Sequence, residues 1–238
     1  MSQSARSLIR RFALSSLLWL PLAFFAWWGW GSVLVLPAAL MSEWLLLLIW
    51  PETFQSVEML ARDSLRVFFV SYVEAEPVLW GSLFADINPL KYGYGFPLFI
   101  GMVMAVPQAP ARQAWLIGLG YLLMVVLQVW GIVFESMRNV AFEHGIQVLV
   151  WPQAAESAGL LEAIQSGQLN PGQVLLLQPV GLAEELIALF YQLGYLIFPA
   201  VVPIIVWMLM HTAFVEQVTG KRLSDSLKAT KSASNQDQ

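Results

Sequence analysis

The 238-residue chain contains no cysteine, which excludes disulfide staples, thiolate metal sites, acylation at a cysteine and any cysteine nucleophile. Histidine occurs only at His144 and His211, which leaves little for zinc chemistry. Charge is scarce too. Asp, Glu, Lys and Arg make up 12% of the residues, against about a quarter in soluble domains. A net charge of −4 and a pI near 5.2 offer no basic face for a nucleic-acid partner. The chain lacks a Gly-x-Ser-x-Gly elbow and internal repeats, and Gly118-Leu119-Gly120 is too short and too apolar in its surroundings for a phosphate loop. That stretch reads instead as a surface for close approach of another helix.

Apolar residues are plentiful. They make up 58% of the chain, mean hydropathy is +0.65, and they are pooled in long runs rather than spread at core spacing, so the chain lives in a membrane. Phe12 to Trp50 is almost unbroken apolar sequence, interrupted by Pro21, Pro37, Ser42 and Glu43. As helix it would be roughly 58 Å long against about 30 Å of hydrocarbon, too long for one span and tight for two. The expected fold is an all-α polytopic membrane protein, one integral membrane domain over 1–238. Its four transmembrane helices lie at about 12–36, 90–107, 114–134 and 183–210, with 37–50 an interfacial or outward extension of the first. Small β and irregular elements fill the extracytoplasmic loops 51–89 and 135–182, and 219–238 is a polar, disordered tail. Arg10 and Arg11 before the first run resemble the start of a signal peptide, but the run is too long for a cleaved one, so an uncleaved anchor is expected.

Four spans put both termini on one side, together with Arg6, Arg10, Arg11, Arg112, Lys221, Arg222, Lys228 and Lys231. Only Arg62, Arg66, Lys91 and Arg138 fall opposite, so the positive-inside rule makes the termini cytoplasmic. A fifth crossing at 34–50 would divide the cations more evenly. The outer loops are acidic. Within them, 64–73 and 78–84 have strand composition, 154–165 reads as a short amphipathic helix, Asn170-Pro171-Gly172 as a turn and 174–177 as a further strand. The tryptophans gather near span ends, as interfacial belts do.

Two polar groups stand out. Gln128, Gly131, Glu135, Arg138 and Phe142 share a helical stripe at the outer end of the third span, with Asn139 beside them. A guanidinium there can clamp a carboxylate or a peptide backbone. The plainer alternative is that Glu135 and Arg138 neutralise each other at a helix end. The second group is Glu184 and Glu185, at the start of the last span, followed by Tyr191, Gln192 and Tyr195. Carboxylates at a helix N-terminus complement its dipole, and Gln and Tyr inside spans commonly serve as interhelical glue. Glu-Glu followed by His211 resembles the glutamate-type CPBP intramembrane proteases, but Leu186-Ile187-Ala188-Leu189 stands where those enzymes carry arginine. His211 also lies about 40 Å farther down the helix.

The stretches Asn88-Pro89-Leu90-Lys91-Tyr92-Gly93-Tyr94-Gly95-Phe96-Pro97-Leu98 and Glu185 to Tyr195, the latter followed by Pro199, Pro203 and Trp207, resemble the exosortase H-associated membrane proteins of Gram-negative bacteria. So does the Arg-flanked first span rich in Trp and Pro, and the similarity runs from about Arg10 to Phe214. The resemblance implies a place in the bacterial inner membrane beside an exosortase-type transpeptidase, an enzyme that works through Cys, Arg and His on substrates with a C-terminal sorting helix. A chain without cysteine resembles the partner and not the enzyme. The family gives no catalytic residues and no cofactor to carry over. The expected function is therefore a non-enzymatic accessory protein that assists substrate recognition or complex assembly, with the transpeptidase, its sorted substrates and the lipid bilayer as partners. The alternative is an intramembrane hydrolase or transferase using Glu184 and Glu185.

Overall fold

A computed structural model describes residues 3–61, 63–72, 81–142, 145–150, 176–177 and 180–219. It is mostly helical. The long apolar run forms one uninterrupted helix, α1 (Gln3–Ile49), through Pro21 and Pro37. A short antiparallel region follows: β1 (Phe54–Ala61), β2 (Ser64–Phe69), β3 (Ser71–Tyr72) and β4 (Gly81–Ile87). A 3-10 turn, Pro89–Tyr92, leads into α2 (Gly95–Ala105) and then α3 (Pro110–Ala141). The strands β5 (Ile146–Val150) and β6 (Leu176–Leu177) precede α4 (Glu184–Met210), and α5 (Thr212–Thr219) ends the described chain. Three helices are long and apolar enough to cross a membrane: residues Arg6–Ile49 of α1, α3 and α4. The stretch expected to span about 90–107 is here the apolar helix α2, 11 residues long.

The chain divides into two compact units. The first comprises Met1–Gly29, Gly95–Leu122 and Ala200–Gln238. Its core is Phe99, Val103, Val106, Leu116 and Trp207, with Phe12 and Phe214 packed against it. The two halves of Gly118-Leu119-Gly120 differ. A Cβ at Gly120 would strike the Phe99 ring, whereas Gly118 faces open space. In the same unit His211 Nδ1 lies 3.0 Å from the Trp207 carbonyl, its Nε2 lies 3.3 Å from the Gln108 amide, and Arg112 donates to the Met210 carbonyl. Burial lowers the His211 pKa below its ordinary value, and the nearby Arg112 charge adds to the effect.

The second unit comprises Trp30–Tyr94 and Leu123–Pro199. It holds a four-stranded antiparallel sheet in the order β1-β2-β4-β5, and β3 pairs with β6. Alternation sets the two faces. Leu65, Val67, Phe69, Leu83, Ala85 and Ile87 are buried on one side, while Arg66 pairs with Asp86 at 2.9 Å on the other and covers the Phe84 ring. The strands expected at 64–73 and 78–84 correspond to β2, β3 and β4 where described, and β6 falls within 174–177. No strand is expected from the sequence at the positions of β1 and β5. The helix expected at 154–165, the turn at 170–172 and the tail beyond 219 lie outside the described residues.

Two residues that interrupt the first apolar run have visible roles. Ser42 returns its hydroxyl to the Ala38 carbonyl at 2.7 Å, and Glu43 accepts the Val57 N–H of β1 at 3.3 Å. Trp50, just past α1, donates its indole N–H to the Val180 carbonyl at 2.8 Å, tying that helix end to the segment before α4.

Candidate functional site

The motif from Asn88 to Gly95 is a local device. The Asn88 side chain accepts the Leu90 N–H at 3.0 Å and Pro89 fixes the first position of the turn, as an N-cap followed by proline should. Gly93 closes the turn by donating to the Leu90 carbonyl at 3.0 Å. The geometry delivers Lys91 and Tyr92 to α3. Tyr92, fully buried, donates its hydroxyl to Glu135 Oε2 at 2.7 Å, and Lys91 forms an ion pair with Glu135 Oε1. Burial first, and the Glu135 carboxylate second, hold the Tyr92 hydroxyl far above the ordinary phenol range, so it stays a donor. The ring can reach Glu135 because residue 131 is glycine, and a Cβ there would drive into Tyr92.

The last helix supplies an aromatic wall. α4 contains a π-turn, Leu193–Ile197, within an otherwise α-helical span. Its cause lies two residues on: Pro199 has no N–H for the ladder, and its ring crowds the carbonyl one turn earlier. Trp130 of α3 donates to the Phe190 carbonyl at 3.0 Å at the edge of this turn, and Gly194 leaves space for the indole. Tyr191 and Tyr195 stack with ring centroids 5.9 Å apart and planes 4° from parallel. Tyr195 meets Tyr92 edge to face at 6.5 Å. The Lys91 ammonium lies 5.6 Å from the Tyr195 ring and 6.0 Å from the Tyr191 ring. The Arg138 guanidinium lies 4.6 Å from the Tyr191 centroid.

Most of the residues singled out in the sequence therefore converge, though not in the pairing expected. Glu135 is neutralised by Lys91, not by Arg138. Arg138 donates instead to its neighbour Asn139 at 2.9 Å, and its Nε is buried without a hydrogen-bond partner. Gln128 is buried two turns before Glu135 on the same helix. Glu184, Glu185 and Gln192 are exposed, and the ion pairs among the described residues are Arg66–Asp86 and Lys91–Glu135. His144 lies outside the described residues. In the sequence Lys91 stands out only as an outer-loop cation inside the Asn88–Leu98 motif, and Tyr195 only as a polar residue of the last span beside Tyr191 and Gln192. A lysine directly before an apolar helix, in a chain whose next span carries a carboxylate, is the signal that finds the first.

The sequence and this geometry sit within a recognised class of membrane proteins. A family model described as exosortase H-associated membrane protein matches residues 6–167 and 148–214. The chain belongs to that family and, with its three long apolar helices, is a multi-pass membrane protein. No curated protein and no solved structure matches it.

Proposed function

We propose that the protein is a non-enzymatic accessory factor of an exosortase-type sorting system in the bacterial inner membrane, helping the transpeptidase recognise or receive its substrates. The family's association with exosortase H supports the partner. The single observation that carries the site assignment is the convergence of Lys91 and Tyr92 from the Asn88–Gly95 motif, Glu135 and Arg138 from α3, and Tyr191 from α4. These side chains hold and present charge. Each polar contact is spent on orientation, which suits a docking surface more than a reaction centre.

In this reading α2 completes a set of four membrane segments, both termini are cytoplasmic, and the sheet and the polar cluster face outward. The distribution of Lys and Arg supports that orientation. Glu184 and Glu185 act at the N-terminus of α4 by complementing its dipole. The test is substrate sorting in cells whose only copy carries R138A, which leaves the Lys91–Glu135–Tyr92 contacts in place. Sorting should fall while the protein stays in the membrane at its normal level. Unchanged sorting would remove the site assignment.

A further inference from the structure

Arg138 is the one cation of the cluster whose charge meets no carboxylate among the described residues. Both oxygens of Glu135 are engaged elsewhere, Oε1 by Lys91 and Oε2 by Tyr92. The polar partner of Arg138 is the neutral amide oxygen of Asn139, and its buried Nε has none. A guanidinium N–H withdrawn from water and left unpaired is unfavourable, and a charged acceptor removes that cost. Among the described residues Lys91 and Arg138 against Glu135 leave the cluster one positive charge in excess, so one further carboxylate balances it.

Shape narrows the ligand. The Arg138 guanidinium carbon lies 4.6 Å from the Tyr191 ring centroid, a cation–π contact that leaves the guanidinium N–H groups as its polar binding surface. A planar carboxylate takes such groups with two parallel hydrogen bonds. Arg138 also sits in the last turn of α3, where any cation complements the helix dipole. That role asks only for a positive charge and does not account for the ring against the guanidinium. Glu135 and Asn139 on the same helix are 5% and 3% exposed, which suits a ligand brought in by protein better than a headgroup approaching from surrounding lipid.

We propose that Arg138, backed by Tyr191, reads the side-chain carboxylate of an acidic residue in a polypeptide presented to this site. The proposal rests on the accessory reading above and supplies what that reading leaves open, the chemistry recognised. The experiment uses the full-length protein in phosphatidylcholine nanodiscs and two fluorescent nonapeptides that differ only in a central Glu or Gln, with binding followed by anisotropy. The wild type should bind the Glu peptide about tenfold more tightly than the Gln peptide, since a hydrogen-bonded charge pair is added. R138Q should abolish the difference, and R138K, which keeps the charge and the fold, should retain only part of it. Equal binding of the two peptides by the wild type overturns the proposal, as does discrimination that survives in R138Q. A repeat in discs containing phosphatidylglycerol separates the sources of the anion. Discrimination should persist there, and its erasure would assign the guanidinium to lipid phosphate and overturn the proposal. The readout is binding by the isolated protein, so failure here leaves the association with an exosortase, read by co-purification, standing or falling separately.

Discussion

Glu135 is held by two residues adjacent in sequence, Lys91 and Tyr92, and is 5% exposed. Removing one member of such a set leaves a buried charge or hydroxyl uncompensated, whereas replacing all members with apolar groups of similar volume does not. K91M should therefore cost about 3 kcal/mol of stability. The triple variant K91M/Y92F/E135L should return to within about 1 kcal/mol of wild type while sorting remains impaired. Thermal unfolding in detergent checks the first part, and a triple variant no more stable than K91M would contradict the local accounting. His211 gives a second residue-scale prediction. Its folded-state pKa lies below the ordinary 6.5, so the unfolded chain takes up a proton first as pH falls. Stability should be full above about pH 6.5 and decline below it, through the lower folded-state value. In H211Q the decline should flatten, as melting temperatures taken from pH 7.5 to 5 would show. At this scale the sequence singles out Glu135, Arg138 and Tyr92 but does not show how they pair. Glu135 and Arg138 are one helical turn apart and invite a local ion pair, while the lysine that takes the carboxylate is distant in sequence.

At the scale of elements, two glycines of α3 offer a matched test. A Cβ at Gly131 collides with the buried Tyr92 ring, and one at Gly118 meets nothing within 4 Å. G131A should destabilise by about 1–3 kcal/mol through overpacking, and G118A should be neutral or mildly stabilising because alanine is the better helix former. Equal effects in the two variants would mean that Tyr92 does not pack against α3 as described. The exposed Arg66–Asp86 pair should matter far less, with D86A costing under about 1 kcal/mol at moderate salt. Hydropathy located the three long helices because a bilayer demands long apolar runs. It did not locate β1, whose edge is met by Glu43 of α1, or β5, which pairs with β4 across a long sequence separation. Nor did it find the π-turn, since a proline in an apolar helix signals disturbance without saying which form the relief takes.

For the whole molecule, polar residues at the ends of the apolar runs, Lys91, Glu135 and Arg138, build the surface assigned to partner contact. Composition could place the chain in a membrane and motif likeness could place it in its family. The joining of the Asn88–Gly95 motif to α3 and α4 required coordinates, because neither periodicity nor charge counting reports contacts between separate elements. The central claim is that this protein works as the companion of an exosortase. Its most direct test is purification of the tagged full-length chain from its native host in mild detergent, followed by identification of the membrane proteins that accompany it. The account predicts recovery of an exosortase in amounts comparable to the bait. A chain that purifies alone under conditions where both proteins are expressed and soluble in the detergent would contradict it.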